Sequence, residues 1–178
     1  MNTSAQESTA RKRCFDPVID ERTRLLVLGS LPGEQSLAKA EYYGNRQNRF
    51  WFLMSEVIDL DLVSMTYAMR LRTLLDHGVG LWDVVAEAHR PGSLDSRIQN
   101  HDDNDLLGLF AGLPKLVTIA FNGGTAARLG LKVLGEQASR YRIVRLPSSS
   151  PAYTLSYTEK SLQWRLLKQA LQPLINDC

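Results

Sequence analysis

Four short apolar runs alternate with segments of helical periodicity, and this alternation constrains the fold more than any other feature of the chain. The runs lie at residues 23–30, 79–85, 115–124 and 141–147. Helical spacing of apolar residues occurs at 49–58, 65–78, 101–113, 125–134 and 158–175. Strand-length runs separated by helices are typical of βαβ units. The sequence therefore predicts a three-layer α/β/α fold around a central, mostly parallel four-stranded sheet.

The composition is that of one ordinary folded domain. The chain has 178 residues, of which 44% are hydrophobic and 22% charged, and it contains no repeat or linker that would divide it. We predict a disordered polar tail over residues 1–14 and a single monomeric domain over 15–178. No apolar run has the length of a membrane span or a signal sequence, which favours a cytoplasmic protein. Cys14 and Cys178 lack the spacing of metal ligands, and we predict no metal and no cofactor.

Unusual residues collect in the loops that follow the predicted strands. In parallel sheets, ligands bind beyond the carboxyl ends of the strands. The loops concerned are residues 31–48, the neighbourhood of Asp83, residues 122–125 and residues 148–154. The first loop runs into "AEYYGNRQNRFW", the amide-rich segment at residues 40–51, which combines aromatic rings with two Asn and two Arg. A core would exclude those amides and a solvated loop would lack those rings, so this segment is predicted to contact a ligand.

The motifs in these loops together resemble the uracil-DNA glycosylase superfamily. They are "GSLPG" at residues 29–33, "NRFW" at 48–51, "GLWDVV" at 80–85, "FNGG" at 121–124 and "LPSSSPAYT" at 146–154. The strongest similarity is to its hypoxanthine-DNA (DNA-deoxyinosine) glycosylase family, with the mismatch-specific thymine/uracil glycosylases next. The resemblance extends over about residues 25–154, and its first and last motifs carry most of the specificity.

The resemblance implies a monofunctional enzyme that flips a deaminated base out of DNA and hydrolyses its N-glycosyl bond. Hypoxanthine is the expected base, with uracil or xanthine as further substrates, and the expected partner is double- or single-stranded DNA. This chemistry needs aromatic walls, polar groups and a placed water, but no metal. The alternatives are a mismatch-specific uracil/thymine glycosylase, a phosphoester-processing hydrolase, and a DNA-binding member of the fold with weakened activity.

The residue that would orient the attacking water is missing from its usual position. In the mismatch-specific relatives the first motif reads Gly-Ile-Asn-Pro-Gly, and Leu31 stands where their Asn lies. The resemblance then implies a catalytic Asn in the amide-rich segment. Asn48 matches the Asn-x-Phe-Trp signature, Asn45 is its competitor, and Ser30 is a third candidate. A turn explains Asn45 equally well and a helix cap explains Asn48, and an amide would orient water rather than act as a base.

The base pocket is predicted to have aromatic walls and one polar group that reads the base. By resemblance, Phe50 stacks on the extruded base, while Tyr42 and Tyr43 form the opposite wall and Leu31 lies beside them. Asp83 matches an Asn that reads the base in the relatives. As a carboxylate it would accept the N1–H of hypoxanthine and repel the bare N1 of adenine. Its structural alternatives are a helix cap or an Arg partner.

Contacts with DNA are predicted in the amide-rich segment and in residues 148–154, the Ser-rich loop. Arg46 would face phosphates, and the loop would enter the minor groove. The candidates for close backbone approach to phosphates are Ser148, Ser149 and Ser150. The candidates for the wedge that fills the vacated site are Tyr153, Pro151 and Ala152. Gly123 either binds phosphate through its amide or lets a strand and a helix pack closely.

The three histidines are predicted to be structural, since His77, His89 and His101 all fall outside these loops. In the uracil-specific branch of the superfamily, a His in the last motif stabilises the departing base, and this sequence has no His there. Stabilisation of that base therefore falls to Asp83, to the three serines or to backbone amides.

Overall fold

Seven β-strands and seven α-helices occur along residues 10–172, which are the residues that the computed structural model describes. The strands are β1 (Lys12–Arg13), β2 (Leu25–Gly29), β3 (Val79–Asp83), β4 (Val85–His89), β5 (Gln99–Asp103), β6 (Thr118–Asn122) and β7 (Arg142–Leu146). The helices are α1 (Glu34–Lys39), α2 (Phe50–Ile58), α3 (Tyr67–Asp76), α4 (Leu106–Ala111), α5 (Gly124–Leu134), α6 (Tyr157–Trp164) and α7 (Lys168–Leu171).

The central sheet has the strand order β3-β2-β6-β7, and every neighbouring pair is parallel. In register, Gly29 lies opposite Asp83, and Asn122 lies opposite Leu146. The carboxyl ends of all four strands therefore meet at one edge of the sheet. The predicted α/β class and the predicted mostly parallel four-stranded sheet are confirmed.

Both faces of the central sheet are buried, and β2 shows why its sequence is apolar throughout. Leu25 and Val27 belong to a core shared with α2, α3 and α6, whereas Leu26 and Leu28 belong to a second core shared with α4 and α5. Successive side chains of a strand point to opposite faces. A strand covered by helices on both sides reads as a continuous hydrophobic run, as seen here.

A second sheet of three antiparallel strands, in the order β1-β4-β5, was not predicted. Its strand β5 is exposed at every residue, so it carries no apolar alternation that could have revealed it. Strand β1 falls inside the tail that we predicted to be disordered over residues 1–14, so that prediction is wrong at its carboxyl end. Its first part, residues 1–9, lies outside the described residues.

Two predicted helices are shorter than their patterns indicated. Within 101–113 only Leu106–Ala111 is helical, and it begins where the Asp105 carboxylate accepts the Gly108 N–H at 2.9 Å. The helix predicted over 158–175 is divided into α6, a 3-10 turn at Arg165–Leu167 and α7, and residues 173–175 lie outside the described range. Between residues 10 and 172, no helix combines the length and apolarity needed to cross a membrane. The cytoplasmic location and the monomeric state stay predictions.

Candidate active site

A cavity of about 570 Å³ opens at the carboxyl-terminal edge of the central sheet. Its walls come from the carboxyl ends of β2, β3, β6 and β7, with a further contribution from the segment between β4 and β5. All of the predicted site residues line it except Phe50 and Arg46. The predicted residues in its wall are Ser30, Leu31, Tyr42, Tyr43, Asn45, Asn48, Asp83, Gly123, Ser148, Ser149, Ser150, Pro151, Ala152 and Tyr153.

The aromatic wall differs from the prediction. Phe50 is fully buried, and its ring stacks on the ring of Tyr43 with 3.7 Å between the centroids and 12° between the planes. Stacked rings at that separation leave no space for a base between them. Tyr43 lines the cavity and Phe50 does not. Phe50 therefore does not meet the base directly in this conformation, because Tyr43 lies between Phe50 and the cavity.

The backbone of the amide-rich segment holds Tyr43 in this place. Tyr43 has a φ of 54°, in the left-handed region that a bulky residue rarely adopts. Two hydrogen bonds fix the backbone of the next residue, Gly44. Its N–H donates to Ser36 Oγ at 2.9 Å, and its carbonyl accepts from Lys39 Nζ at 2.7 Å. These bonds hold a turn that presents the Tyr43 ring to Phe50.

Asn45 and Asn48 both line the cavity, and both use their side-chain oxygen locally. Asn45 Oδ1 accepts the Gln47 N–H at 2.9 Å. Asn48 Oδ1 accepts the Phe50 N–H at 3.0 Å, at the start of α2. Both contacts span two residues, as in a turn, and the N-cap residue of α2 is Arg49, so the predicted turn role of Asn45 is present but the predicted N-cap role of Asn48 is not. Among the described residues neither Nδ2 donates to a protein acceptor, so both amide groups can bind water or a ligand.

Asp83 lies at the end of β3, against the backbone of β2. A Cβ built on Gly29 would lie 2.6 Å from Asp83 Oδ1 and 3.4 Å from Tyr43 Oη, so only glycine leaves room for the carboxyl group there. Asp83 is 4% exposed, and its Oδ2 has no hydrogen-bond partner in the described part of the chain. Burial, followed by the nearby Asp95, raises the pKa of Asp83 to about 7, whereas Arg90 lowers it.

The raised pKa changes which hydrogen bonds Asp83 can make. The prediction from the sequence takes Asp83 as a carboxylate, which can only accept hydrogen bonds. Because burial raises the pKa of Asp83 to about 7, its protonated form is populated near neutral pH, and a protonated carboxyl group both donates and accepts. The electrostatic rejection of adenine therefore loses its premise, and the predicted Arg partner is absent from the hydrogen bonds and ion pairs of the described residues.

Asp95 is a cavity residue that the sequence did not indicate. It follows β4, and its Oδ1 accepts the Ser30 hydroxyl at 2.7 Å and lies 3.7 Å from Arg90. Burial raises the pKa of Asp95, while the hydrogen bond from Ser30 and the charge of Arg90 lower it. Ser30, predicted as a catalytic candidate, therefore donates its proton to a carboxylate, which leaves the Ser30 oxygen available as an acceptor.

Arg90 was also missed, and it fixes the first motif from behind. The side chain is 3% exposed. It donates to the carbonyl of Leu31 at 3.0 Å, to the carbonyl of Pro32, and to the carbonyl of Gly92 at 3.2 Å. Burial lowers the pKa of Arg90, and Asp95 raises it. The sequence around both residues, "RPGSLDSR", reads as an ordinary turn, and only the fold brings it to the "GSLPG" motif.

The Ser-rich loop is tied to the rest of the site through Ser149. Asn122 Nδ2 donates to Ser149 Oγ at 2.8 Å, and the Ser149 N–H donates to Asn122 Oδ1 at 2.9 Å. The Ser149 carbonyl accepts the Arg49 N–H at 3.0 Å. The Ser149 backbone is therefore not free to bind phosphate, contrary to the prediction. Asn122 holds the loop in place, a role that the sequence did not reveal although "FNGG" marked its position.

The remaining loop residues agree in part with the prediction. The Ser150 N–H donates to Ser148 Oγ at 3.1 Å, so it too is engaged within the loop. Pro151, Ala152 and Tyr153 are exposed at the mouth of the cavity, where a wedge would have to lie. Tyr153 is 49% exposed, and Lys160 Nζ lies 5.5 Å from the centre of its ring.

Gly123 is required by packing. Its φ is 97°, and a Cβ there would lie 3.1 Å from the Ser148 Cβ. Its N–H donates to the Leu146 carbonyl at 3.0 Å. That amide is therefore occupied within the sheet and is not available to a phosphate. The close approach of β6 to the Ser-rich loop is the reason for glycine at this position.

One exposed arginine lines the cavity, and two more lie in the amide-rich segment. Arg46 and Arg49 are exposed in the amide-rich segment, and Arg128 on α5 is exposed and lines the cavity. Arg128 was not predicted. The histidines at 77, 89 and 101 do not line the cavity. Over residues 10–172, His, Cys, Asp and Glu form no group of three or more that could hold a metal ion.

Comparison with known proteins identifies the family. The model of the uracil DNA glycosylase superfamily matches residues 17–174. Two curated relatives named hypoxanthine DNA glycosylase are similar over 86% of this chain: one from Methanosarcina acetivorans is 40% identical over 95% of its length, and one from Methanosarcina barkeri is 37% identical over 96%. The chain therefore belongs to the uracil DNA glycosylase superfamily, and the resemblance predicted from its motifs is confirmed.

A solved structure gives the same result for the fold. The solution NMR structure of a candidate uracil DNA glycosylase from Methanosarcina acetivorans is 39% identical in sequence. It superimposes with a TM-score of 0.81, covering 91% of this chain and 99% of that one.

Proposed function

We propose that the protein is a monofunctional DNA glycosylase that extrudes deaminated bases from DNA, hypoxanthine first, and hydrolyses their N-glycosyl bond to leave an abasic site. One observation carries the proposal. The motifs that resemble this family converge on one cavity that holds an aromatic ring, two amide groups and a buried carboxyl group. The curated relatives named hypoxanthine DNA glycosylase support the choice of base.

In this proposal the amide-rich segment supplies the water. Leu31 lines the cavity but offers no polar group, so it cannot orient a nucleophile. Asn48 and Asn45 each have an uncommitted Nδ2 donor, and an amide of this kind can hold the water at the anomeric carbon. Excision that relies on an oriented water depends on a good leaving group, and deaminated bases leave more readily than their parent bases.

The base and the DNA strand are assigned to different walls of the cavity. The base stacks on the cavity face of Tyr43, with Phe50 supporting that ring from behind. Asp83 meets the pairing edge of the base from the end of β3. The Ser-rich loop, held by Asn122, supports the strand from which the base was extruded, and Tyr153 or Pro151 fills the vacated site.

The assignment as monofunctional rests on the lysines. No lysine lines the cavity among the residues that the structure describes. Lys39 lies in the loop at residues 31–48, and its Nζ donates to the Gly44 carbonyl at 2.7 Å. A Schiff base with the sugar is therefore not expected, and the abasic strand should stay intact.

Release of free base from a defined oligonucleotide tests the proposal. A duplex with a single deoxyinosine is incubated with the protein in EDTA, and the released base is quantified. We expect free hypoxanthine and a strand that breaks only after treatment with alkali. Parallel duplexes carry uracil, xanthine or mismatched thymine.

The panel distinguishes the alternatives. Thymine released faster than hypoxanthine would indicate a mismatch-specific enzyme. Activity that EDTA abolishes would indicate a metal-dependent hydrolase. Binding without release of any base would indicate a DNA-binding member of the fold and would refute the glycosylase proposal.

A further inference from the structure

The carboxyl groups of Asp83 and Asp95 both line the cavity, and the buried guanidinium group of Arg90 influences the two of them, but only Asp95 is paired with it. Asp95 has the Ser30 hydroxyl at 2.7 Å and Arg90 at 3.7 Å. Asp83 has neither, and its Oδ2 is buried without a partner in the described part of the chain. Arg90 is further committed to the carbonyl groups of Leu31, Pro32 and Gly92. Within the described part of the chain, Arg90 is the cation beside these carboxyl groups, and it is held by Asp95 and by the first motif.

A charge count shows which carboxyl group takes a proton. Arg90 and an ionised Asp95 together are neutral. An ionised Asp83, at 4% exposure, would add an unpaired negative charge to a buried site, and such a charge is strongly unfavourable. Protonation of Asp83 removes it. The direction of the pKa agrees with this count, because burial and Asp95 both raise the pKa of Asp83.

Building on the proposed function, we infer that Asp83 binds the extruded base as a neutral carboxylic acid. Its carbonyl oxygen accepts the ring N–H, and its hydroxyl donates to the adjacent carbonyl oxygen of the base. Hypoxanthine, uracil and xanthine all present this N–H beside a C=O. Guanine and thymine carry the same lactam edge, so their exclusion must come from contacts other than those with Asp83. A carboxylate would instead place a negative charge against the carbonyl oxygen.

The hydroxyl of Asp83 also fills the role for which the cavity has no histidine. As the bond between the sugar and the base breaks, its electron pair leaves with the base, and negative charge builds up on the carbonyl oxygen of the lactam. A hydrogen bond from a neutral acid stabilises that charge. Water supplies the hydroxyl group that the anomeric carbon gains, and the proton that it loses balances, through solvent, the proton that the base takes up.

This assignment also changes the account of selectivity. A neutral acid can pair with the N1 and the amino group of adenine as well, because its donor and acceptor fit that edge in the opposite order. Adenine is then rejected at the bond-breaking step, since its ring carries no carbonyl oxygen on which the negative charge can collect. The electrostatic repulsion predicted from the sequence is not needed.

Asp83 is the group expected to titrate near neutral pH, as its surroundings show. Burial raises the pKa of Tyr42, Tyr43 and Cys14, so these three stay uncharged at pH 8 and below. Burial raises the pKa of Asp95, but its contacts with Ser30 and Arg90 lower it and favour its ionised form, and Asp83 has no such contact with Ser30. The titratable and charged groups that face Asp83 are Cys14, Tyr42, Tyr43, Arg90 and Asp95.

The test measures protonation and excision separately. The carboxyl carbon of Asp83 is followed by carbon-13 NMR in the DNA-free protein, with Asp83→Asn to assign the signal. Single-turnover excision of hypoxanthine and of uracil is then measured from about pH 5.5 to 8.5. We expect an NMR midpoint near pH 7, and a rate constant that falls about tenfold per pH unit above the same midpoint.

Two variants sharpen the test. Asp83→Asn keeps one donor and one acceptor but does not titrate, so the excision that it supports should be slower than that of the wild type and should not decline at high pH. Asp95→Asn removes the negative charge that disfavours ionisation of Asp83, so the midpoint should move to lower pH. A folded Asp83→Asn protein that keeps the wild-type decline would overturn the inference.

Two outcomes in the wild-type protein would also overturn it. One is an NMR midpoint below about pH 5, near the ordinary range of Asp. The other is a rate that rises with pH through neutrality, as an ionised acceptor requires. If no base is released at any pH, the proposed function fails, and the NMR midpoint still decides whether Asp83 is neutral in this cavity.

Discussion

Tyr43 and Phe50 stack face to face at 3.7 Å, so the ring that the cavity presents is that of Tyr43. Phe50 is fully buried behind it and also meets Trp51 and Trp164 edge-on. The two rings therefore differ in location: the Phe50 ring lies in the core, and the Tyr43 ring forms part of the surface that a base would contact.

Replacement of Tyr43 should weaken base binding. Stacking of a base on an aromatic side chain contributes about 1–3 kcal/mol, so Tyr43→Ala should lower single-turnover kcat/KM for deoxyinosine by roughly 5- to 150-fold. Tyr43→Phe keeps the ring and should stay close to wild type. Excision that increases in Tyr43→Ala would show instead that Tyr43 blocks Phe50 and must move aside.

The two amide groups should differ in their effect on chemistry. Asn48→Ala removes both the acceptor for the Phe50 N–H and the free amide, whereas Asn48→Ser restores only a side-chain oxygen that can accept this N–H. If Asn48 holds the water, single-turnover excision should be lost in both variants while DNA affinity is kept, and only Asn48→Ala should lose about 1 kcal/mol of stability.

Asn45→Ala is the matched comparison. It also removes a turn bond, the one from the Gln47 N–H, but leaves the start of α2 intact. Loss of excision in Asn45→Ala with retention in Asn48→Ser would transfer the water to Asn45.

Arg128 should contact a DNA phosphate. Arg128→Gln is expected to weaken DNA binding to the same extent for all sequences, and to reduce the slope of log affinity against log salt by about 1. Arg140→Gln is the control, because Arg140 is also exposed but lies just before β7, at the opposite edge of the sheet. Equal salt slopes for the two variants would show that Arg128 makes no phosphate contact.

Asn122 should be essential for the Ser-rich loop. Asn122→Ala breaks both side-chain bonds to Ser149 inside a buried site, and unsatisfied buried groups of this kind cost about 1–3 kcal/mol each. Urea unfolding should show this loss. Protease cleavage within residues 147–153 should become faster, while cleavage elsewhere stays the same. Three further donors bond to carbonyl groups of the loop: the Arg49 N–H to Ser149, Lys160 Nζ to Ser150 and Trp164 Nε1 to Pro147. Unchanged loop cleavage would mean that these bonds suffice.

The free energy of unfolding should depend on pH through Asp83. Its pKa is raised from 3.8 to about 7, so between these values the native state binds more protons than the unfolded state. Stability should therefore fall as pH rises from about 4 to about 7 and then level off, by up to roughly 4 kcal/mol. Asp83→Asn should flatten this dependence in urea unfolding. Parallel curves for the two proteins would contradict the raised pKa.

The central sheet was predictable from sequence because its strands are buried on both faces. The run at Leu25–Gly29 is apolar throughout, and nothing competes with that signal. Strand β5 was not predictable, because every residue of it is exposed and its pairing with β4 is a long-range property. Burial on two faces produces a pattern in the sequence, whereas an exposed edge does not.

The candidate site was predictable where a motif lies next to a strand end. Asn45, Asn48 and Asp83 fall in that class, and all three line the cavity. Two features escaped prediction because they are set by contacts distant in sequence or by backbone conformation: Asp95 reaches the cavity across the fold, and the left-handed turn at Tyr43 moves its ring over Phe50.

The segment between β4 and β5 carries both Arg90 and Asp95, yet it contributes no strand to the parallel sheet. The residues that influence the pKa of Asp83 and the strands that surround the cavity therefore lie in separate stretches of the chain. Replacement of Asp95 should shift the pKa of Asp83 without altering the strands that hold the cavity open, whereas replacement of Arg90 would leave the carbonyl groups of Leu31, Pro32 and Gly92 without their donor. In evolutionary terms, Asp95 is a position where the acidity of the cavity can change while the parallel sheet stays the same.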